Sequence, residues 1–122
     1  AAGLEAVGRL DDAEQAYRAA AQRWPSEPLP RLALANIALA RGDAATAERE
    51  LRTALVLDPD DVAARNNLAE VLRSMGCPES ARREIAIATT LATGGPLAAA
   101  VASTQRRIDA SGGPDGPGCP VE

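Results

Sequence analysis

The chain has 122 residues, a net charge of −4 and 46% hydrophobic residues, with no Phe, one Trp and one Tyr. One folding unit is the expectation at that length, and a core made mostly of Ala, Leu, Val and Ile argues for closely packed helices rather than a sheet, an all-α protein. The charge excludes the cationic footprint that nucleic acid or an anionic membrane demands, and the absence of His removes the commonest general base and zinc ligand, so no catalytic, cofactor-binding or metal site is expected.

In chain order, Ala1–Val7 reads as the remnant of a helix ending at Gly8. The start has neither an initiator Met nor a basic-then-apolar leader, which implies that the natural protein continues upstream. Asp11–Arg23 is the next helix, and the missing partner helix leaves Tyr17 uncovered, so self-association through this N-terminal edge is expected. Trp24 is expected to pack into a seam between repeats. In Leu29–Arg41, Leu34 and Ile37 serve the core, while Leu29, Leu32 and Leu39 form a second stripe around Asn36. That stripe either meets a neighbouring helix or makes a hydrophobic floor.

Ala44–Leu57 follows, stopped by Pro59, with Asp60-Asp61 ready to cap the next helix. Val62–Met75 carries Leu68, Val71, Leu72 and Met75 on one face and Asn66, Asn67, Glu70, Arg73 and Ser74 on the other. After Pro78–Leu91 comes Pro96–Ala110, whose Leu97, Val101 and Ile108 oppose Gln105, Arg106 and Arg107, as suits a helix capping a stack. The ending SGGPDGPGCPVE reads as a mobile tail. Cys77 and Cys119 read as independent thiols, with one disulfide as the alternative in an exported protein. No apolar run is long enough for a membrane span, and the Arg82-Arg83 and Arg106-Arg107 doublets read as solvated helix faces.

A register of 34 residues runs through these helices: Gly8, Gly42 and Gly76; Ala13, Ala47 and Ala81; Tyr17, Leu51 and Ile85; Ala20, Ala54 and Ala88; Pro25 and Pro59. Gly serves a tight turn, Ala the closest approach of two helices, the bulky residue the gap beside it. The segments GDAATAERELRTALVLDPDD and ARNNLAEVLRSMG resemble the tetratricopeptide repeat family over about residues 1–93. The resemblance implies an α-solenoid: a right-handed superhelix of antiparallel helix hairpins whose first helices line a concave groove. The expected organisation is a domain over 1–110, with a partial repeat 1–27, repeats 28–61 and 62–95 and a capping helix 96–110, then a flexible tail 111–122. The family's aromatic slots hold Arg31, Ala38, Arg65 and Leu72, and a proline slot holds Thr93, so looser packing is expected.

Functionally the resemblance implies a scaffold that binds a protein or peptide. Asn36 and Asn67 match positions from which groove asparagines of the family reach a peptide backbone, and the amide suits that task with donor and acceptor together. A helix-surface or inter-repeat hydrogen bond is the alternative role. The expected partner-binding set is Leu32, Asn36, Leu39, Asn66, Asn67, Glu70 and Arg73. The family's carboxylate clamp for chaperone C-termini is not expected, because Leu32, Leu97 and Val101 stand where bases are required. Two other readings stay open: an accessory segment of a larger enzyme, resembling repeats that follow papain-like cysteine-peptidase domains in some bacterial proteins, and a homo-oligomerisation module. A soluble protein of the cytoplasm or the periplasm is expected.

Overall fold

The computed structural model describes residues 2–119 and is all-α, with helices α1 (Ala2–Arg23), α2 (Pro28–Ala40), α3 (Ala44–Leu57), α4 (Val62–Ser74), α5 (Pro78–Leu91) and α6 (Ala98–Ser111) and no strand among the described residues. The chain divides after Asp58 into two compact units. In the first, α2 packs against both α1 and α3; in the second, α4 and α5 form a hairpin and α6 rests on both.

Each hairpin is closed by the same short turn. Gly42 and Gly76 take φ of +76° and +81°, a conformation that costs glycine little and an L side chain much. The amide of Asp43 then reaches back to Ala38 O at 2.8 Å, and 34 residues later Cys77 N reaches Leu72 O at 2.9 Å. So short a turn holds the paired helices close together, and the alanine columns are what fits: Ala47, Ala54, Ala81 and Ala88 are buried, with Leu51 and Ile85 filling the space between them. Burying a side chain of that size contributes about 1.5–3 kcal/mol.

The N-termini are secured differently. Asp43 accepts from Thr46 N at 3.1 Å and from the Thr46 hydroxyl at 2.6 Å, and Asp61 accepts from Ala64 N at 3.1 Å. Bonds from the Thr46 side chain and then its amide hold the Asp43 carboxyl below the ordinary aspartate range, against partial desolvation and with help from the Arg49 charge. Glu14 is likewise held low, first by its bond with Arg41, then, against desolvation, by Arg18.

Four expectations change. Gly8 makes no turn: α1 runs unbroken from Ala2 to Arg23, so the separate remnant over residues 1–7 does not exist as such, and Ala1 lies outside the described residues. The next two residues, Arg9-Leu10, offer neither the capping carboxylate of Asp43 nor the proline of Cys77-Pro78 to start a new helix. A glycine inside a helix costs only about 1 kcal/mol. Trp24 occupies no seam; it is 52% exposed, with the Arg23 guanidinium 5.1 Å from its ring centroid. Cys77 and Cys119 are paired in a disulfide with their Cα atoms 5.7 Å apart. In place of a free tail, residues 112–119 fold back on the α4–α5 turn, where Gly116 N bonds Gly76 O at 3.1 Å.

Two outcomes follow. Ala47 is 0% exposed, so Ala47→Leu should force α2 and α3 apart and cost about 1–3 kcal/mol, seen as a lower melting temperature; an unchanged melting temperature contradicts the tight contact. Because Asp43 and Glu14 have lower pKa values folded than unfolded, the stability they add is complete above the ordinary carboxylate range and drains as pH falls through their folded values. Melting temperatures recorded from about pH 5 to about pH 3 should therefore fall more steeply in wild type than in Asp43→Asn, which keeps an acceptor but cannot titrate.

Candidate partner-binding site

The seven expected residues fall on α2 and α4, one helix in each compact unit. On α2 the spacing of Leu32, Asn36 and Leu39 places them on one face, and Leu29 extends it. Asn36 and Leu39 are exposed, Leu32 is half-buried and Leu29 is 71% exposed. The stripe owes its exposure to the opposite face of the same helix, where Leu34, Ala35, Ile37 and Ala38 are buried. The α2 stripe thus sets an amide among apolar side chains at the surface, suited to holding a backbone while accepting an apolar side chain.

On α4 the polar residues are less free. Glu70 accepts from Arg73 at 3.3 Å and from Arg107 of α6 at 2.9 Å. Asn66 and Asn67 are both half-buried, and Asn66 Oδ1 and Arg73 Nε are shielded from solvent without a hydrogen-bond partner among the described residues. Buried unpaired polar atoms are costly, and here the two lie seven residues apart on one face with Glu70 between them.

Two features escaped the sequence reading. Arg31 donates to Glu50 at 3.1 Å, and Arg65 donates to Glu84 at 2.9 Å. The two pairs stand 34 residues apart, so one ion pair recurs in the same position of both hairpins, fastening α2 to α3 and α4 to α5. The signal was present in the register, yet Arg31 and Arg65 read there only as departures from an aromatic slot. The other two such slots, Ala38 and Leu72, are buried. The second feature is a cleft of about 350 Å³ in the first unit, among α1, α2 and α3, lined by Arg18, Arg31, Arg41 and Arg49 together with Glu14 and Glu50. Its charges are largely spent internally: Arg41 bonds Glu14 and Asp11, Arg18 bonds Glu14, and Arg31 bonds Glu50. No group of three or more metal-ligating side chains occurs among the described residues, and no helix there is long and apolar enough to cross a membrane.

A family model described as tetratricopeptide repeat matches residues 38–103, more than half of the chain. Among solved structures, the type III secretion translocator chaperone SycD of Yersinia enterocolitica is similar with a TM-score of 0.78 at 20% identity, over 88% of this chain and 77% of that one. A second structure, SycD of the same organism in complex with a peptide of the translocator YopD, matches with a TM-score of 0.78 at 20% identity over 88% of this chain and 86% of that chain. At such identity the likeness is one of fold, a helical-repeat solenoid. No curated protein has a significant sequence match to this chain.

The recurrent ion pair is testable by its two burial levels. Glu84 is 3% exposed, so Glu84→Ala should strand the Arg65 charge and cost about 3 kcal/mol. Arg31 and Glu50 are more open, so Glu50→Ala should cost about 1 kcal/mol or less. Chemical denaturation of both variants checks the order; equal losses contradict it.

Proposed function

The chain belongs to the tetratricopeptide repeat family, and on that premise we propose that it is an interaction scaffold that holds a protein or peptide partner and performs no chemistry itself. The exposed stripe of α2 carries this reading: Leu29 and Leu39 stand in solvent beside Asn36 although the other face of the helix is fully used in the core. A lone exposed leucine is unremarkable, whereas two exposed leucines and the half-buried Leu32 on one face around an amide are a surface that gains by being covered. The fold neighbour SycD has been solved with a peptide of YopD, and a peptide is the partner class proposed here too.

In this reading Leu32 and Leu39 take an apolar side chain of the partner while Asn36 bonds its backbone. In the second unit, Asn67 is the proposed backbone contact, with Asn66, Glu70 and Arg73 on the same helix. The pairing of Glu70 with Arg73 and Arg107 makes those residues secondary, since a partner must compete with bonds already formed. Tyr17 and Trp24, both exposed, favour a second reading in which another copy of the chain is bound; sedimentation at rising concentration separates the two.

Panning a random peptide display library against the folded chain, then titrating a selected peptide by calorimetry, tests the site. Losing one neutral hydrogen bond is worth roughly 0.5–1.5 kcal/mol, so Asn36→Ala and Asn67→Ala should each weaken the peptide about three- to tenfold. Circular dichroism should be unchanged in both. Unaltered affinity in both variants moves the site away from these residues.

A further inference from the structure

We propose that the Cys77–Cys119 disulfide fastens residues 112–119 as a redox-released strap, whose Asp115 supplies α5 with the N-terminal cap that its own sequence lacks. The two hairpins of the chain make the comparison internally. At the start of α3 the residue before the helix is Asp43, which bonds the Thr46 amide and the Thr46 hydroxyl. The register position of Asp43 in the second hairpin is Cys77, which makes no side-chain cap. Thr46 corresponds to Ser80 and Arg49 to Arg83, and both arginines bond the hydroxyl of their Thr or Ser. Only the carboxylate is missing from the local sequence.

The tail returns it. Asp115 Oδ1 accepts from Glu79 N at 2.6 Å and Ser80 N at 3.2 Å, and Asp115 Oδ2 accepts from the Ser80 hydroxyl at 2.6 Å. Ser80 therefore donates to Asp115 the same two bonds that Thr46 donates to Asp43. Desolvation against α5 raises the Asp115 pKa, and the Ser80 side chain, the two amides and the Arg83 charge more than reverse it, leaving the carboxyl below its ordinary range. The path back is defined by three glycines with positive φ, Gly112, Gly113 and Gly118. The cysteine that displaced the local cap is the anchor of the segment that replaces it.

An intramolecular cap of this kind holds only while its carrier is tethered, because the tether keeps Asp115 at high local concentration beside the helix end. Cys77 is 1% exposed and Cys119 is half-buried, so the reachable sulfur belongs to Cys119. A thiolate of a dithiol reductant attacks Cys119 Sγ and forms a mixed disulfide; the bond to Cys77 breaks, and the Cys77 sulfur leaves as thiolate and takes a proton. The second thiol of the reductant, deprotonated, displaces Cys119, which is protonated in turn. The chain then holds two thiols, the reductant has become a disulfide, and the amides of Glu79 and Ser80 lose their acceptor. α3, whose cap is local, is untouched.

Residue-resolved amide exchange on the full chain, air-oxidised and then with dithiothreitol, reads this directly. Exchange at Glu79 and Ser80 should quicken about fivefold or more on reduction, the size expected for a lost helix cap, while Thr46 stays constant. Asp115→Ala in the oxidised chain should give the same quickening. Cys77→Asp with Cys119→Ser places a local cap where Asp43 stands and should leave Ser80 slow and indifferent to dithiothreitol. Equal exchange at Ser80 in oxidised and reduced wild type overturns the proposal, as does Asp115→Ala without effect. A parallel rise at Thr46 and Ser80 also overturns it, since reduction then unfolds the chain instead of uncapping one helix.

Discussion

The close contact enforced by the glycine turn is the constraint from which the rest of each hairpin follows. Once Asp43 N is bonded to Ala38 O, or Cys77 N to Leu72 O, the two helices start side by side, and every facing position along them must be small or must interlock. That is why Ala47 and Ala54 recur as Ala81 and Ala88, and why the single bulky column, Leu51 and Ile85, is so fully buried. The same geometry fixes which residues can meet across the pair. An arginine near the start of one helix reaches a glutamate in the next, so Arg31–Glu50 recurs as Arg65–Glu84 with both members moved by one repeat.

Much of this was legible because it is local or periodic. The ranges Ala44–Leu57 and Pro78–Leu91 agree with α3 and α5 end for end, since an Asp or Pro marks each start and the register marks each interior. The family is visible for the same reason. What the sequence hid depends on neighbours rather than on residue type. Gly8 is the same residue as Gly42 and Gly76, but Arg9-Leu10 after it supplies neither the carboxylate of Asp43 nor the proline of Cys77-Pro78 to begin a new helix, and the backbone continues. Cys119 lies 42 residues from its partner, and the cap on Ser80 comes from 35 residues downstream. Neither leaves a local trace. A Gly/Pro-rich ending suggests mobility by composition, yet three of its glycines sit at positive φ on a path that closes.

The proposed site is only partly legible, and the register shows why. Leu32, Asn36 and Leu39 occupy the same repeat positions as Asn66, Glu70 and Arg73, so the candidate residues are those where the two repeats disagree. Positions that close the hairpin repeat because geometry demands it. Positions that do not repeat answer to something else, either a neighbouring element or a partner. In the second unit that other element is α6: Arg107 reaches Glu70, which explains a charged choice there without any ligand. No comparable bond is formed by the amide of Asn36 among the described residues, and Leu29 on the same face stands 71% exposed.

A solenoid repeat separates the two tasks that a compact enzyme fold mixes. The turn glycine, the alanines and the interhelical ion pair hold each hairpin together from positions outside the exposed stripe of α2, so substitutions on that stripe are not expected to disturb them. Specificity is then free to be written in side chains such as Leu39 and Asn36 without altering the turn at Gly42 or the contact at Ala47. The strap at α5 follows the same logic in reverse. At Cys77 the repeat gave up a local cap, which changes the helix start but none of the helix contacts, and so the stability of that one terminus became dependent on a bond that thiol exchange can open.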